Sequence, residues 1–187
     1  MARTQDHENL VTATFDDHNA ADRAYNKVAN RSGYDHDDVT ILMSDETRKK
    51  HYKDEDIEIE EGTKAAEGAG VGGATGGTIG GIAGALMAAG GAVALPGIGL
   101  AISGPLAAAL AGAGTGGAAG SIIGALAGAG ISEERAKRYK KDIEEGRVVL
   151  GVNPQSESEA RAIVKDWKEL GAYRIHTGTY TFDPAAM

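Results

Sequence analysis

The sequence predicts an α+β fold in two halves separated by a long helical insert. Two observations carry the halves: a strand–helix–strand pattern near the start of the chain and a second one near its end. A third carries the insert. From Gly68 to Ser132 there is no charged residue, and glycine returns every fourth position.

Taken in order, Val11, Ala13 and Phe15 alternate with Thr12 and Thr14, the period of a half-buried strand. Asp16 or Asp17 can cap a following helix that gathers Ala20, Ala21, Ala24, Tyr25 and Val28 on one side and stops at Gly33. Val39 to Met43 reads as the second strand, completing a β-α-β unit of about thirty residues. A charged linker follows from Ser44 to Glu61, with a short helix expected near Asp45 and a brief edge strand at Ile57 and Ile59.

Beyond the insert, Ser132 caps a charged helix with Glu133 and Glu134 in its first turn. Glu133/Lys137 and Glu134/Arg138 are i,i+4 pairs in the favourable order. Val148 to Val152 is the third strand. Ser156 and Glu159 form a capping box for a helix presenting Ala160, Ile163, Val164, Trp167 and Leu170. Tyr173 to Thr177 closes as the fourth strand. This order is that of a ferredoxin-like split β-α-β domain interrupted by an excursion between its second and third strands. The expectation is one sheet holding the strands near Val11, Val39, Val148 and Tyr173, with helices 17–31 and 157–170 on one face. Three segments follow: residues 1–61, the insert 62–131, and residues 132–187.

Within the insert, Gly68, Gly72, Gly76, Gly80 and Gly84 repeat every four residues, and Gly112, Gly116, Gly120, Gly124 and Gly128 repeat the device. That spacing lines the glycines along one side of a helix, where they allow a partner backbone to come close. The pattern predicts two glycine-zipper helices joined as a hairpin, with the reversal between Gly90 and Pro105, where Gly90-Gly91, Pro96-Gly97 and Gly104-Pro105 are poor helix interiors. In water the ten glycines from Gly68 to Gly90 would cost such a helix on the order of 10 kcal/mol relative to alanine. Lipid changes the balance, because unpaired backbone is expensive there. Helices over 64–89 and 106–130 would measure about 39 and 37 Å, longer than the ~30 Å hydrocarbon core. The apolar content is modest, so helix–helix packing has to settle the outcome. The connector itself is apolar, which places it in apolar surroundings or under neighbouring copies. Arg135, Lys137, Arg138, Lys140 and Lys141 follow directly, as a cytoplasmic flank in contact with anionic lipid would. A solvated helix face accounts for them equally well.

Composition narrows the function classes. A formal net charge of −8 argues against a general nucleic-acid binder. Without cysteine there is no disulfide framework and no thiolate metal site. MARTQDHENL lacks the apolar core of a signal peptide. Gly68 to Gly73 and Gly112 to Gly117 fit GxGxxG, but neither follows a strand as a dinucleotide site requires, and the insert has no P-loop lysine. The five histidines show no metal-ligand spacing, and no nucleophile-elbow pattern is present. No enzyme, cofactor or metal is expected.

The opening ATFDDHNAADRAYNKV, the strand DVTILMSDE, the glycine-zipper insert and the return strand VVLGV together resemble the bacterial general-stress proteins with a heat-induced (YflT-type) domain. The resemblance spans most of the chain. It implies bacterial origin and induction under stress, and it brings no catalytic residues. Three functions are compatible. The leading one is a non-enzymatic stress protein whose hairpin associates with membrane and drives homo-oligomerisation, the α/β domain lying in the cytoplasm. The others are a soluble self-assembling filament, shell or particle, and a small-ligand sensor built on the ferredoxin-like domain.

Overall fold

The structure, a computed structural model, describes residues 9–52, 82, 86, 93–95, 99–107, 122–128 and 131–182. The chain is an α+β protein built on one antiparallel sheet. Strand β1 (Val11–Phe15) leads into helix α1 (His18–Ala29), strand β2 (Val39–Ser44) and short helix α2 (Asp45–His51). Strands β3 (Val93–Leu95) and β4 (Leu100–Ser103) follow, then helices α3 (Ile122–Gly128) and α4 (Glu133–Glu144). Strand β5 (Val148–Val152), helix α5 (Glu157–Glu169) and strand β6 (Arg174–His176) complete the order.

The strands lie in the order β3-β4-β2-β5-β1-β6. The four expected strands therefore share one sheet, with the C-terminal half's β5 between β1 and β2. Register runs Val11↔Val152 to Phe15↔Val148 on one side of β5 and Val39↔Val152 to Leu42↔Val149 on the other. Gly151 suits this central place: a Cβ there would already touch Thr12 and Thr40 of the flanking strands at 3.4 Å.

Strand alternation sends side chains to two cores. Val11, Ala13, Phe15, Val39, Ile41, Val148 and Leu150 pack under α1 and α5, which supply Ala21, Ala24, Tyr25, Ile163, Val164 and Trp167. Asp17 caps α1 by accepting from Asn19 N at 3.0 Å, and Ser156 caps α5 by accepting from Glu159 N at 3.2 Å. The Glu159 carboxylate turns back to Gln155 N at 2.9 Å, one residue before the reciprocal bond that a capping box predicts. Lys27 of α1 and Arg31, just beyond its end, both pair with Asp166 of α5, tying the two helices side by side.

The second face departs from expectation. β1 reads as half-buried, yet all five of its residues are buried. The reason is α4, which lies over the threonine side of the sheet and gives those hydroxyls partners. Thr12 Oγ1 meets Tyr139 Oη at 2.5 Å, and Thr14 Oγ1 donates to Asp142 Oδ2 at 3.3 Å. Leu42, Leu100, Ile102, Leu106, Ile122, Leu126, Ile131, Ile143 and Val149 fill the rest of that core.

The insert also differs from an isolated hairpin. Within the expected apolar reversal, β4 pairs with β2 from Ile41↔Ser103 to Ser44↔Leu100, and β3 pairs with β4. β2 would otherwise end the sheet with a row of unpaired backbone groups, and pairing with β4 satisfies them. Leu100–Ser103 of the apolar connector are thus covered by their own domain. Ile82 and Leu86 are buried in the first core, while Leu106, Ile122 and Leu126 are buried in the second. Most of the two glycine arms lies outside the described residues, as does the edge strand expected at Ile57 and Ile59. Of the ten zipper glycines, Gly124 and Gly128 fall on α3, which packs against α4. Among the described residues, no helix is long and apolar enough to cross a membrane.

Candidate functional site

The charged helix α4 determines where a site can form. Ser132 caps it by accepting from Arg135 N at 3.4 Å. Ala136, Tyr139, Asp142 and Ile143 recur at helical spacing and are buried against the sheet. The outward side carries ion pairs: Lys137–Glu133 at 2.8 Å, Arg138–Glu134 at 3.0 Å, Lys140–Glu144 at 3.2 Å and Lys141–Glu145 at 3.9 Å. Four of the five basic residues expected to meet anionic lipid are therefore matched by a carboxylate on their own segment. Arg135 differs. Its Nη2 donates to Tyr139 Oη at 3.2 Å, its guanidinium stands 5.8 Å from the centre of the Tyr139 ring, and its Nε is shielded from solvent without a partner among the described residues.

Where α4 passes over the β1–β6 edge it leaves a cavity of about 380 Å³. Its walls are Thr12 and Thr14 of β1, Arg135, Arg138 and Tyr139 of α4, and Arg174, Ile175 and His176 of β6. The β6 residues arrive there through register, with Thr12↔His176 and Thr14↔Arg174 side by side on the α4 face. Arg174 Nη1 pairs with buried Asp142 at 2.9 Å, and Arg147 Nη1 reaches the other oxygen of that carboxylate at 3.1 Å. The result is a cleft with three guanidinium groups, an imidazole and three hydroxyls, with one carboxylate shared between Arg174 and Arg147.

Sequence reasoning singled out Arg135 and Arg138 but missed Thr12, Thr14, Tyr139, Arg174 and His176. The available signal was basic residues at alternate positions of the last strand, which places both on one face. Burial, then the charges of Arg135 and Arg138, hold the His176 imidazole below its ordinary 6.5. An unfolded chain would protonate that ring near 6.5, so stability is complete above that pH and declines as pH falls toward the folded-state value. His51 adds to the decline in the same sense, through burial and then the nearby His18 and Lys50. His176→Gln is expected to flatten part of the loss between about pH 7.5 and about pH 5.5, read from urea midpoints. An unchanged slope would mean that the ring titrates freely.

A wider cavity of about 540 Å³ lies between α2 and α4, lined by Asp45, Lys49, Gly99, Ile122 and Glu144 among others. Of the charges lining it, Asp45 is committed to Arg48 and Lys49, and Glu144 to Lys140. The histidines His18 and His51, distant in sequence, stack at 3.9 Å. Among the described residues no three His, Cys, Asp or Glu side chains converge as metal ligands would. Compared with known proteins, the chain matches no family model, no curated sequence and no solved structure.

Proposed function

We propose that this chain is a non-enzymatic stress-response protein of the general-stress type that works by associating with copies of itself through its glycine-rich segments. The α+β domain, ferredoxin-like in its strand order, serves as the platform. One observation carries this reading: the glycine-rich stretch is rooted in both cores, by Ile82 and Leu86 on one face and by Leu106, Ile122 and Leu126 on the other. Close contacts made by the glycines are therefore held against a folded base rather than on a free tether. The same rooting weighs against a spanning second arm. Between buried Leu106 and Ile122, residues 108–121 would make about 21 Å of helix, short of a ~30 Å hydrocarbon core. Association between copies thus carries the proposal.

Leucine in place of Gly76 or Gly120 tests it, with leucine at Ala83 or Ala119 as controls. Leucine raises helix propensity and lipid partitioning at all four positions. The glycine variants are expected to shift to smaller species in native sizing and cross-linking while the controls stay assembled. Glycine variants that assemble like the parent would refute the zipper. Assemblies that persist in detergent-free extract without lipid would identify a soluble particle.

A further inference from the structure

We propose that the cleft between α4 and the β1–β6 edge binds a phosphate-type oxyanion, carried by a small molecule or presented by a lipid headgroup. This goes beyond the association reading, and none of the described glycine positions lines the cleft. The donors converge from three elements: Arg135, Arg138 and Tyr139 from α4, Arg174 and His176 from β6, and Thr12 from β1. Arginines suit phosphate because their planar forks donate paired hydrogen bonds to two oxygens at once.

Arg135 is the centre of the inference. It is half-buried, has no carboxylate partner among the described residues, and keeps a shielded Nε–H without an acceptor. A charged donor withdrawn from water in this way is unfavourable until an acceptor arrives. Arg138 stands one turn further along, also lines the cleft, and is paired among the described residues with exposed Glu134. Arg174 is anchored by Asp142, which fixes its place without cancelling the other two cations. His176 sits among these cations with its basicity lowered by burial and by Arg135 and Arg138. An oxyanion would relieve the repulsion among the three guanidinium groups. The cavity, about 380 Å³, lies at the small end of ligand pockets, which favours a compact phosphorylated group over a polymer. The chain's net charge of −8 points the same way, since a nucleic-acid backbone would meet repulsion outside the cleft.

The experiment is calorimetric titration of the full chain with inorganic pyrophosphate at low salt, in parallel with sedimentation on phosphatidylglycerol and phosphatidylcholine vesicles. Saturable binding is expected, weakened roughly tenfold or more in Arg135→Gln by loss of a charge-assisted bond. Lys165→Gln, on α5 across the sheet, is expected to bind as the parent does. Circular dichroism checks folding. If Arg135→Gln does not fold, Arg138→Gln, whose ion pair lies at the surface, gives the same reading. Pyrophosphate binding that is lost in the arginine variants supports a soluble ligand. Binding to phosphatidylglycerol vesicles alone, lost in the same variants, supports a headgroup. No binding in either arm, or equal affinity in parent and arginine variants, overturns the proposal.

Discussion

Trp167→Ala is expected to lower the unfolding free energy by about 3–5 kcal/mol, the range for truncating a large buried aromatic. Trp167 is fully buried beneath α5, with its ring edge-on to Phe15 at 6.4 Å and 87°. Its Nε1 donates to Ala24 O at 3.3 Å, so one side chain joins α5, α1 and β1. Truncation removes all three contacts and opens a cavity that the flanking helices, tied together at Asp166, cannot easily collapse to fill. Domains of this size have about 5–15 kcal/mol of stability in total, so much of the margin goes. Trp167→Phe keeps most of the packing and loses the hydrogen bond, an expected loss of about 1 kcal/mol. Because Trp167 is the sole tryptophan, the variants are followed by circular dichroism in urea rather than by fluorescence. A loss below about 1 kcal/mol for Trp167→Ala would show that α5 does not close this face.

Gly104→Val should have an effect of similar size, for a different reason. Gly104 has φ +77, a left-handed conformation that L side chains rarely adopt. A Cβ there would lie 2.8 Å from Val39 C and 2.9 Å from Thr40 Cα, and closer still to the Val39 carbonyl oxygen. Those are backbone atoms of β2, so the end of β4 has to peel away. Conformational strain of about 1–2 kcal/mol adds to lost strand pairing, and a total of about 3 kcal/mol or more is expected. Gly99→Ala is the matched control: φ is +69, but nothing lies within 4 Å, leaving the strain alone. Hydrogen exchange at the β2–β4 pairing separates the two. Equal protection in both variants would mean that β4 is not held against β2 at Gly104.

Much of the framework is legible in the residues. Alternation in Val11–Phe15, the cap at Asp17 and the helical spacing of Ala160, Ile163, Val164 and Trp167 are local signals, and each element formed where they pointed. β4 was not legible in the same way. Leu100 and Ile102 sit in a run of glycine, alanine and isoleucine whose periodicity suits helix or strand, and the deciding influence is the open edge of β2, distant in sequence. The cleft was hidden for a related reason. Tyr139 and Thr12 are separated by 127 positions, and only the placing of α4 across β1 brings their hydroxyls together. Arg135 looked like one charge in a basic run. Its difference from Lys137 or Lys140 is that it pairs with no carboxylate among the described residues and has a sheet edge to face.

The interleaving of β5 between β1 and β2 sets a schedule for synthesis. β1 and β2 emerge from the ribosome early, yet the strand that joins them cannot follow until residues 45–147 have also been made. At ~5–20 residues per second that delay is roughly 5–20 s. For that interval the nascent chain presents two apolar strands and the whole glycine-rich stretch before the strand that joins them exists. The newborn protein is then at its most adhesive, and any chaperone or sister chain that meets it does so before the sheet has closed.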